Sequence, residues 1–355
     1  MQVMLKLQKN GAKFKNQSLI KMMEDCTIII PTFNRSKYLK ILLNYLNLSN
    51  ISCPIIIADG SLSSSEIDQN IKIISESKKN NDISHFVDKS FFVKRLFLAS
   101  NLVKTKYCKI NTDDDFFGRD YINLAIQELS SNKDFSAITG YNVSFHRNFK
   151  NSQTSKVFLG EKHSAYENNV IERFRNAKFN WQPWAVYKSE TMKKIFQITN
   201  DVTQNAVVNS DFDEAKQLRL FSFVMKLKSL SDGKYKYINK CMNVTVYHEE
   251  NWGRQHKIDT SNFFFDKEFI TWMIDLKKIF NDEKNFDDLI KLILIKDKHL
   301  NYISKVEKNF IQKIFNLSIN KLIEILISKF QLVKSNEFFL ENDAKKIIKF
   351  LRQNI

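Results

Sequence analysis

KYCKINTDDDFF, residues 106–117, is a short apolar stretch that runs into three consecutive aspartates. Adjacent carboxylates repel one another, and burial next to a strand would increase that repulsion. We therefore expect a positive partner beside Asp113, Asp114 and Asp115, either a metal ion or arginine and lysine side chains. The alternative interpretation is a solvated acidic loop.

Apolar strands alternate with amphipathic helices on both sides of this stretch. The segments between the strands carry apolar residues at helical spacing, as Leu39, Leu42 and Leu43 do. Strands that alternate with helices predict right-handed crossovers and an α/β fold, with a mostly parallel sheet flanked by helices. The predicted strands are CTIII, PIIIADGS, ISHFVD, KYCKIN and FSAITGYN, at residues 26–30, 54–61, 83–88, 106–111 and 135–142.

Polar residues follow several of these strands. Thr32 and Asn34 come after the first strand, Asp59 ends the second, and residues 113–115 follow a later one. Ligands of such sheets bind beyond the carboxyl ends of the strands. The pattern therefore predicts a binding site at that edge and argues against the solvated loop.

Composition limits the class of protein. The chain has 355 residues, 43% hydrophobic and 26% charged, which is typical of a globular protein and excludes a disordered one. Its net charge of +16 favours polyanions or anionic membrane surfaces as partners. Four cysteines without a CxxC pair predict buried free thiols in a reducing compartment. Since no apolar stretch could span a bilayer and no signal-peptide pattern occurs, we expect a cytoplasmic protein, with peripheral binding to the inner face of the cell membrane as an option.

The strand-end residues resemble a known family. The segments TIIIPTFNRSKYLKILLNYL (27–46), IIIADGS (55–61) and CKINTDDDFF (108–117) look like the nucleotide-sugar-binding half of family 2 glycosyltransferases with the GT-A fold. That family opens with an apolar strand, Pro, a small polar residue and Asn-Arg. An Asp ends its second strand, and an Asp-x-Asp ends a later one. The resemblance, which covers residues 26–145 well and 170–256 loosely, implies a GT-A-like, Rossmann-like domain.

Three regions are expected along the chain. Residues 1–25 form a basic leader, residues 26–260 the GT-A-like domain, and residues 261–355 an all-α C-terminal region, because the strand patterns end near residue 262. Helices with lysines beside an apolar face can bind an anionic membrane surface. The alternatives for the last region are an ordinary packing face and a homo-oligomer interface. The lysines in question are Lys291, Lys296, Lys298, Lys345, Lys346 and Lys349.

The resemblance implies a donor site for a nucleotide-diphosphate sugar, with Mn²⁺ or Mg²⁺ to stabilise the departing diphosphate. Asp115 is the expected metal ligand. Asp113 is expected at the metal or the ribose, and Asp114 in the turn beside the donor.

Further donor contacts are expected from the other strand ends and from the helix that precedes the metal strand. Asp59 would accept a nucleobase N–H, with Thr32 and Asn34 beside it. Arg35, a cation at a helix start, is better explained by a phosphate than by helix stability. Arg95 is expected to reach the donor as well, with an ordinary surface position as the alternative.

The resemblance also implies an inverting mechanism, in which a carboxylate takes the proton of the acceptor hydroxyl. NSDFDEAKQ, residues 209–217, provides Asp213 as the first candidate. Asp211 and Glu214 are alternatives, because the Glu-Asp order usual in the family is absent. His248, after a predicted edge strand, is expected to complete the metal shell.

The acceptor side is indicated by WQPWAVYKSE, residues 181–190. Trp181 and Trp184 can stack on the faces of sugars or pack in the core. The expected acceptor is a glycan or a lipid-linked glycan of surface polysaccharide synthesis.

Two other functions compete with the glycosyltransferase. A nucleotidyltransferase of related fold normally has a glycine-rich loop after its first strand, and PTFNRSKY, residues 31–38, contains no glycine. A polyanion-binding protein would use the positive charge. However, the basic residues are dispersed along helices, so no nucleic-acid partner is expected.

Overall fold

The computed structural model describes residues 22–78, 82–146, 157–159, 164–176, 183–207, 214–248 and 341–354. Its strands are β1 (Cys26–Thr32), β2 (Ile55–Asp59), β3 (Ile83–Val87), β4 (Tyr107–Ile110), β5 (Asp115–Phe116), β6 (Phe135–His146), β7 (Val157–Leu159), β8 (Val186–Lys188) and β9 (Lys234–Tyr247). Its helices are α1 (Ser36–Leu48), α2 (Ser64–Ser77), α3 (Phe92–Leu102), α4 (Arg119–Ser131), α5 (Val170–Asn176), α6 (Ser189–Val207), α7 (Glu214–Asp232) and α8 (Asn342–Asn354).

These nine strands form one mixed sheet. Its order is β3-β2-β1-β4-β8-β6-β9-β5, and β7 pairs with β6. β1 runs parallel to β2 and β4, and β2 runs parallel to β3. β8 is antiparallel to β4 and β6, β6 is parallel to β9, and β5 is antiparallel to β9. The four parallel strands β1 to β4 therefore bring their carboxyl ends to one edge.

Helix α1 illustrates how the sequence pattern determines packing. Its Leu39, Leu42 and Leu43 are fully buried, as their helical spacing predicts. The N–H of Ser36, in its first turn, donates to the carboxylate of Glu66 in α2 at 2.9 Å. Because α2 satisfies this otherwise unpaired N–H group, the starts of both helices lie together beyond β1 and β2.

The fold class predicted from the sequence is confirmed, and so are the five predicted strands. The pattern does not predict β5, β7 and β8, because each has only two or three residues. The expectation of an edge strand before His248 was wrong, since β5 pairs with β9 on the side away from β6. The four cysteines are buried and unpaired, as predicted.

Within the expected C-terminal region, the structure describes residues 341–354. Ala344, Ile347 and Ile348 of α8 are buried in the same hydrophobic core as the sheet. None of the described helices combines the length and the apolar character needed to cross a membrane. Residues 1–21 and 249–340 lie outside the described residues, so the three-region division stays a prediction.

Candidate active site

Strand register brings the predicted strand-end residues together. Thr32, at the end of β1, is the pairing partner of Asp59, at the end of β2. The hydroxyl of Thr32 donates to Oδ2 of Asp113 at 2.7 Å, across 81 residues of chain. The ends of β1 and β2 and the segment after β4 therefore meet at one edge, where the sequence predicts a site.

A cationic side chain lies among the aspartates. Nη2 of Arg35 forms an ion pair with Oδ2 of Asp114 and lies 3.4 Å from Oδ1 of Asp113. Arg35 precedes the first residue of α1, where a cation opposes the helix dipole, so the carboxylates explain its position better than the helix does. Burial alone would lower the pKa of Arg35, but the two carboxylates outweigh burial and raise it. The positive partner expected for the aspartate run is present in this arginine.

His248 closes the cluster from the other side. It is 1% exposed, and its Nε2 lies 3.0 Å from Oδ2 of Asp114. Its Nδ1 lies 3.1 Å from the hydroxyl of Tyr38, and the two rings stack with centroids 4.3 Å apart. Since an ionised carboxylate only accepts hydrogen bonds, the Nε2–H of His248 donates to Asp114.

The three adjacent carboxyl groups differ in how well the protein neutralises them. Burial would raise the pKa of Asp114, but the hydrogen bond from His248 and the charge of Arg35 outweigh burial and lower it. Burial raises the pKa of Asp113 to about 7, although Arg35 opposes this rise. Burial also raises the pKa of Asp115 to about 7, and the charge of Asp114 adds to it. Of the three carboxyl groups, Asp114 is therefore the one for which neighbouring side chains offset the effect of burial on the pKa.

Asp115 occupies a second environment in the same cluster. Its Oδ2 accepts a hydrogen bond from the hydroxyl of Thr112 at 2.6 Å, and its backbone pairs with Thr245 of β9. Lys109, fully buried in β4, has a pKa that burial lowers to about 7, while Asp115 opposes the shift. The ammonium of Lys109 donates to the carbonyl of Ile110 at 3.2 Å. Lys109 was missed by the sequence reasoning, because a lysine inside an apolar strand resembles a surface position.

The donor set fits a divalent cation that is shared with a phosphate ligand. Mg²⁺ and Mn²⁺ are commonly held by one or two carboxylates, with phosphate oxygens and water completing the shell. The raised pKa values of Asp113 and Asp115 mean that a cation beside them would stabilise their ionised forms. Among the described residues, no group of three or more His, Cys, Asp or Glu side chains could hold a metal by itself. His248, the predicted third ligand, has both ring nitrogens engaged by other side chains.

Asp59 is more deeply buried than a residue that contacts a nucleobase needs to be. It is 0% exposed, and its oxygens accept hydrogen bonds from Ser61 N–H at 2.8 Å and Asn70 Nδ2 at 2.9 Å. Nε2 of His85 lies 3.3 Å from Oδ2. Burial would raise the pKa of Asp59, but these hydrogen bonds outweigh burial and lower it. In this structure, Asp59 orders the loop after β2.

Asn34 connects the two loops at this edge. Its φ of 50° lies in the left-handed region, which asparagine tolerates better than most residues. Its N–H donates to Oγ of Ser61 at 2.9 Å, and its Oδ1 accepts the N–H of Leu62 at 3.0 Å. Asn34 and Asp59 therefore both hold the loop after β2 in place, through hydrogen bonds with residues 61 and 62.

Arg95 lies at the same edge, on α3. It is 4% exposed, and its Nη1 donates to the carbonyl of Ser90 at 2.6 Å. A Cβ at position 60 would overlap with its Cζ, so Gly60 provides the space for this guanidinium. Cζ of Arg95 lies 5.9 Å from the ring centroid of Phe33, which is 42% exposed. An exposed aromatic ring and a cation therefore border the strand-end loops.

The predicted acceptor side is described only in part. Asp211, Asp213 and Trp181 lie outside the described residues. Glu214 begins α7, but its side chain is also outside them. Trp184 is partly buried and packs against the hydrophobic core. The assignments of the base and of the aromatic platform stay predictions.

Sequence reasoning missed several side chains that support the site. Tyr38 resembles a core aromatic, since it lies on the apolar face of α1. His85 lies two residues after the buried Ile83, on the same face of β3, and a polar residue at such a position could have indicated a side chain that faces Asp59. Asn70 is a fully buried polar residue on α2, a position that the sequence pattern alone does not reveal.

A scan against protein-family models and a search of curated protein sequences found no match. Solved structures do match. S. aureus TarS 1-349 in complex with UDP-GlcNAc aligns with a TM-score of 0.53 and 14% identity, over 82% of this chain and 76% of that chain. TarS 1-349 without that ligand gives a TM-score of 0.51 and 15% identity, over 88% of this chain and 81% of that chain.

A third match is to a longer form of the same protein. The structure of S. aureus TarS gives a TM-score of 0.51 and 12% identity, over 93% of this chain. This chain spans about half of it, since 53% of that chain is covered. At 12–15% identity these matches concern the fold alone, and the resemblance predicted from the sequence is confirmed for the fold.

Proposed function

We propose that this protein is a glycosyltransferase that moves a hexosyl or related sugar from a nucleotide-diphosphate donor. The observation that carries the proposal is the meeting of Thr32, Arg35 and residues 113–115 at the carboxyl ends of parallel strands. The same fold occurs in a TarS structure that is in complex with UDP-GlcNAc. The fold by itself would not indicate sugar transfer, and neither would the strand-end cluster by itself.

The nucleoside end of the donor is proposed to lie on the loops that follow β1 and β2. Phe33 provides an exposed ring there, and Arg95 lies over one face of that ring. A nucleobase can stack on such a ring, since both have apolar π-faces. Asp59 orders this loop through Ser61 and Asn70. A direct contact of Asp59 with the base would require this fully buried carboxylate to become exposed.

The diphosphate is proposed to lie beside Arg35 and the aspartates. Arg35 is always charged and has several donors in a planar fork, which suits phosphate oxygens. Asp113 and Asp115 would hold Mn²⁺ or Mg²⁺ against the diphosphate. When bound, this metal would neutralise the charge that develops on the departing nucleoside diphosphate. Asp114 keeps Arg35 and His248 in position through its ion pair and hydrogen bond.

The chemical step proposed is an inverting displacement. A carboxylate, with Asp213 as the first candidate, takes the proton of the acceptor hydroxyl as the oxygen bonds to the anomeric carbon. The bond from that carbon to the donor phosphate breaks at the same time, and the nucleoside diphosphate leaves. The acceptor we propose is a glycan or a lipid-linked glycan, in line with the resemblance.

A thermal-shift panel tests the proposal. The intact protein is heated with nucleoside diphosphates and their sugars, each with and without Mn²⁺. A ligand that binds only the native state at about a hundred times its Kd stabilises by about 2.7 kcal/mol, so one nucleotide should raise Tm, and more so with Mn²⁺. If no nucleotide shifts Tm under either condition while a polyanion does, the polyanion-binding alternative is supported instead.

A further inference from the structure

The last described helix contacts the chain segment that directly follows the aspartates. The carboxylate of Asp343 accepts the backbone N–H of Asp120, 223 residues earlier in the chain, at 2.8 Å. Asp120 lies in the first turn of α4, and Gly118, which precedes that helix, provides no side chain to cap it. Asp343 therefore supplies from α8 the N-terminal capping that α4 lacks.

Close approach of Asp343 depends on the glycine. A Cβ at Gly118 would lie 3.0 Å from Oδ2 and 3.1 Å from Cβ of Asp343. The N–H of Gly118 donates to the carbonyl of Cys241 in β9 at 3.1 Å. The segment after β5 is thus held between β9 and α8.

Glu341 completes the same contact on the sheet side. Its Oε1 accepts the backbone N–H of Cys241, and its Oε2 lies 3.0 Å from Nζ of Lys240. β5 pairs with β9 only through Asp115 and Phe116, so the N–H of Cys241 lies beyond that short pairing. The carboxylate of Glu341 satisfies this strand group.

Phe350 provides an apolar contact with the residue next to Asp115. Its ring centroid lies 6.1 Å from that of Phe116 and 5.5 Å from that of Tyr45 on α1. The hydroxyl of Tyr45 in turn donates to the carbonyl of Phe117 at 2.7 Å. Helix α8 and Tyr45 therefore contact the two residues that follow Asp115.

We infer that α8 holds the aspartate segment in its active geometry, with Phe350 and Asp343 as positioning residues for Asp115. The effect of α8 on catalysis rests on the proposed function. The ordering of residues 112–121 by α8 does not. β5 has two residues, too few to fix a strand by backbone pairing alone. The contacts from α8 therefore hold residues 116–120 in place. None of these contacts involves a residue of the proposed donor site.

Hydrogen–deuterium exchange of the intact protein tests this without any substrate. We compare the wild type with Phe350→Ala and Asp343→Ala, and use Gln353→Ala, an exposed position on α8, as the matched control. Loss of a capping contact should raise local exchange by about fivefold in the peptide that covers residues 112–121. Peptides from β1 and β2 should exchange as in the wild type. The control should leave both regions unchanged.

Two results would overturn the inference. One is wild-type exchange of residues 112–121 in both variants. The other is an equal rise in β1 and β2, which would mean that α8 supports only global stability. Should Phe350→Ala fail to fold, Asp343→Ala still decides between these outcomes, because it removes one partly exposed carboxylate and leaves the apolar face of α8 intact.

Enzyme kinetics then separate positioning from mere stability. With the donor identified by the thermal-shift panel, Phe350→Ala should lower kcat and raise the KM for the donor, and Phe350→Leu should restore much of both. A stability defect alone would reduce the active fraction and leave KM unchanged. If exchange changes as expected but the wild type transfers no sugar, the proposed function fails while the role of α8 in ordering residues 112–121 stands.

Discussion

The guanidinium of Arg35 forms an ion pair with the carboxylate of Asp114, 79 residues later in the chain. Asp114 is mostly buried, and His248 donates a hydrogen bond to the same oxygen. This pair explains how a chain can place three aspartates in succession next to a buried strand. One carboxylate is neutralised internally, and the two on either side of it keep the capacity to bind another cation.

Arg35→Met should destabilise the protein, because it leaves Asp114 buried without its cation. Loss of one partner of a buried ion pair typically costs about 3–5 kcal/mol. Urea denaturation of the variant measures this loss. Arg35→Met combined with Asp114→Asn should recover part of the lost free energy of unfolding, since the unpaired charge is then absent.

Lys40→Met is the matched control for this cycle, because Lys40 is an exposed cation on the same helix. It should change stability by less than about 0.5 kcal/mol. Full additivity of the Arg35 and Asp114 substitutions would show that the two side chains do not interact in solution.

Asp115→Asn should abolish metal-dependent nucleotide binding and leave the fold intact. Asp115 is one of two carboxyl groups whose raised pKa indicates uncompensated burial, so removing its charge should not destabilise the protein. Calorimetry with Mn²⁺ and a nucleoside diphosphate measures the effect, with Asp82→Asn, exposed and distant from the aspartates, as the control. Undiminished Mn²⁺-dependent binding by Asp115→Asn would remove this residue from the metal shell.

Asp59→Asn should destabilise the protein at neutral pH, and the difference from the wild type should shrink as the pH falls below the unfolded pKa of 3.8. The pKa of Asp59 is lowered in the folded state, so its ionised form stabilises the fold above the unfolded value of 3.8. This stabilisation is lost as pH falls through the folded pKa. Disturbing the buried hydrogen bonds should cost about 1–3 kcal/mol at pH 7. Denaturation curves between pH 7 and pH 3 test it, and a difference that stays constant would contradict the assignment.

The parallel half of the fold could be predicted because its determinants are local. β1 is an uninterrupted buried run, and α1 repeats its leucines at helical spacing. Each of these patterns lies within about a dozen residues of sequence, and their alternation implies the sheet. The meeting of Thr32 with Asp113 follows from that topology, because parallel strands place their carboxyl ends at one edge.

The partners of the side chains could not be predicted, because they depend on tertiary contacts. The sequence indicated Arg35 as a phosphate ligand, and nothing in its neighbourhood identified Asp114 as its partner. Tyr38 has the spacing of a core residue, yet its hydroxyl binds His248, 210 residues away. The contact of Phe350 with Phe116 likewise joins distant parts of the chain, and no local pattern encodes it.

Asp213→Asn should lower sugar transfer at least about a hundredfold, the usual scale for the loss of a general base. The affinity for the donor should change little, because the base is expected to face the acceptor. Initial rates and nucleotide binding are measured on the same preparations of Asp213→Asn, Asp211→Asn and Glu214→Gln. If Glu214→Gln is the inactive variant and Asp213→Asn transfers normally, the base is Glu214.

Binding to acidic membranes, which we propose for the C-terminal region, should depend on charge at α8 and not on its apolar face. Ile347 and Ile348 are buried against the sheet domain, whereas Lys345, Lys346 and Lys349 are exposed. A lysine near an anionic surface contributes roughly 1 kcal/mol, so changing all three to Gln should weaken binding on the order of a hundredfold.

Flotation with vesicles that contain acidic lipid measures this binding. The binding should also fade as salt rises, because the Debye length shortens to about 8 Å at physiological ionic strength. The variants keep α8, since deletion of the helix would expose apolar residues of the core. Lys40→Gln, Lys72→Gln and Lys78→Gln together, three exposed lysines outside α8, control for the loss of net charge alone. If the intact protein does not bind acidic vesicles at low salt, α8 has no role at the membrane. The same conclusion follows if the triple variant floats like the wild type.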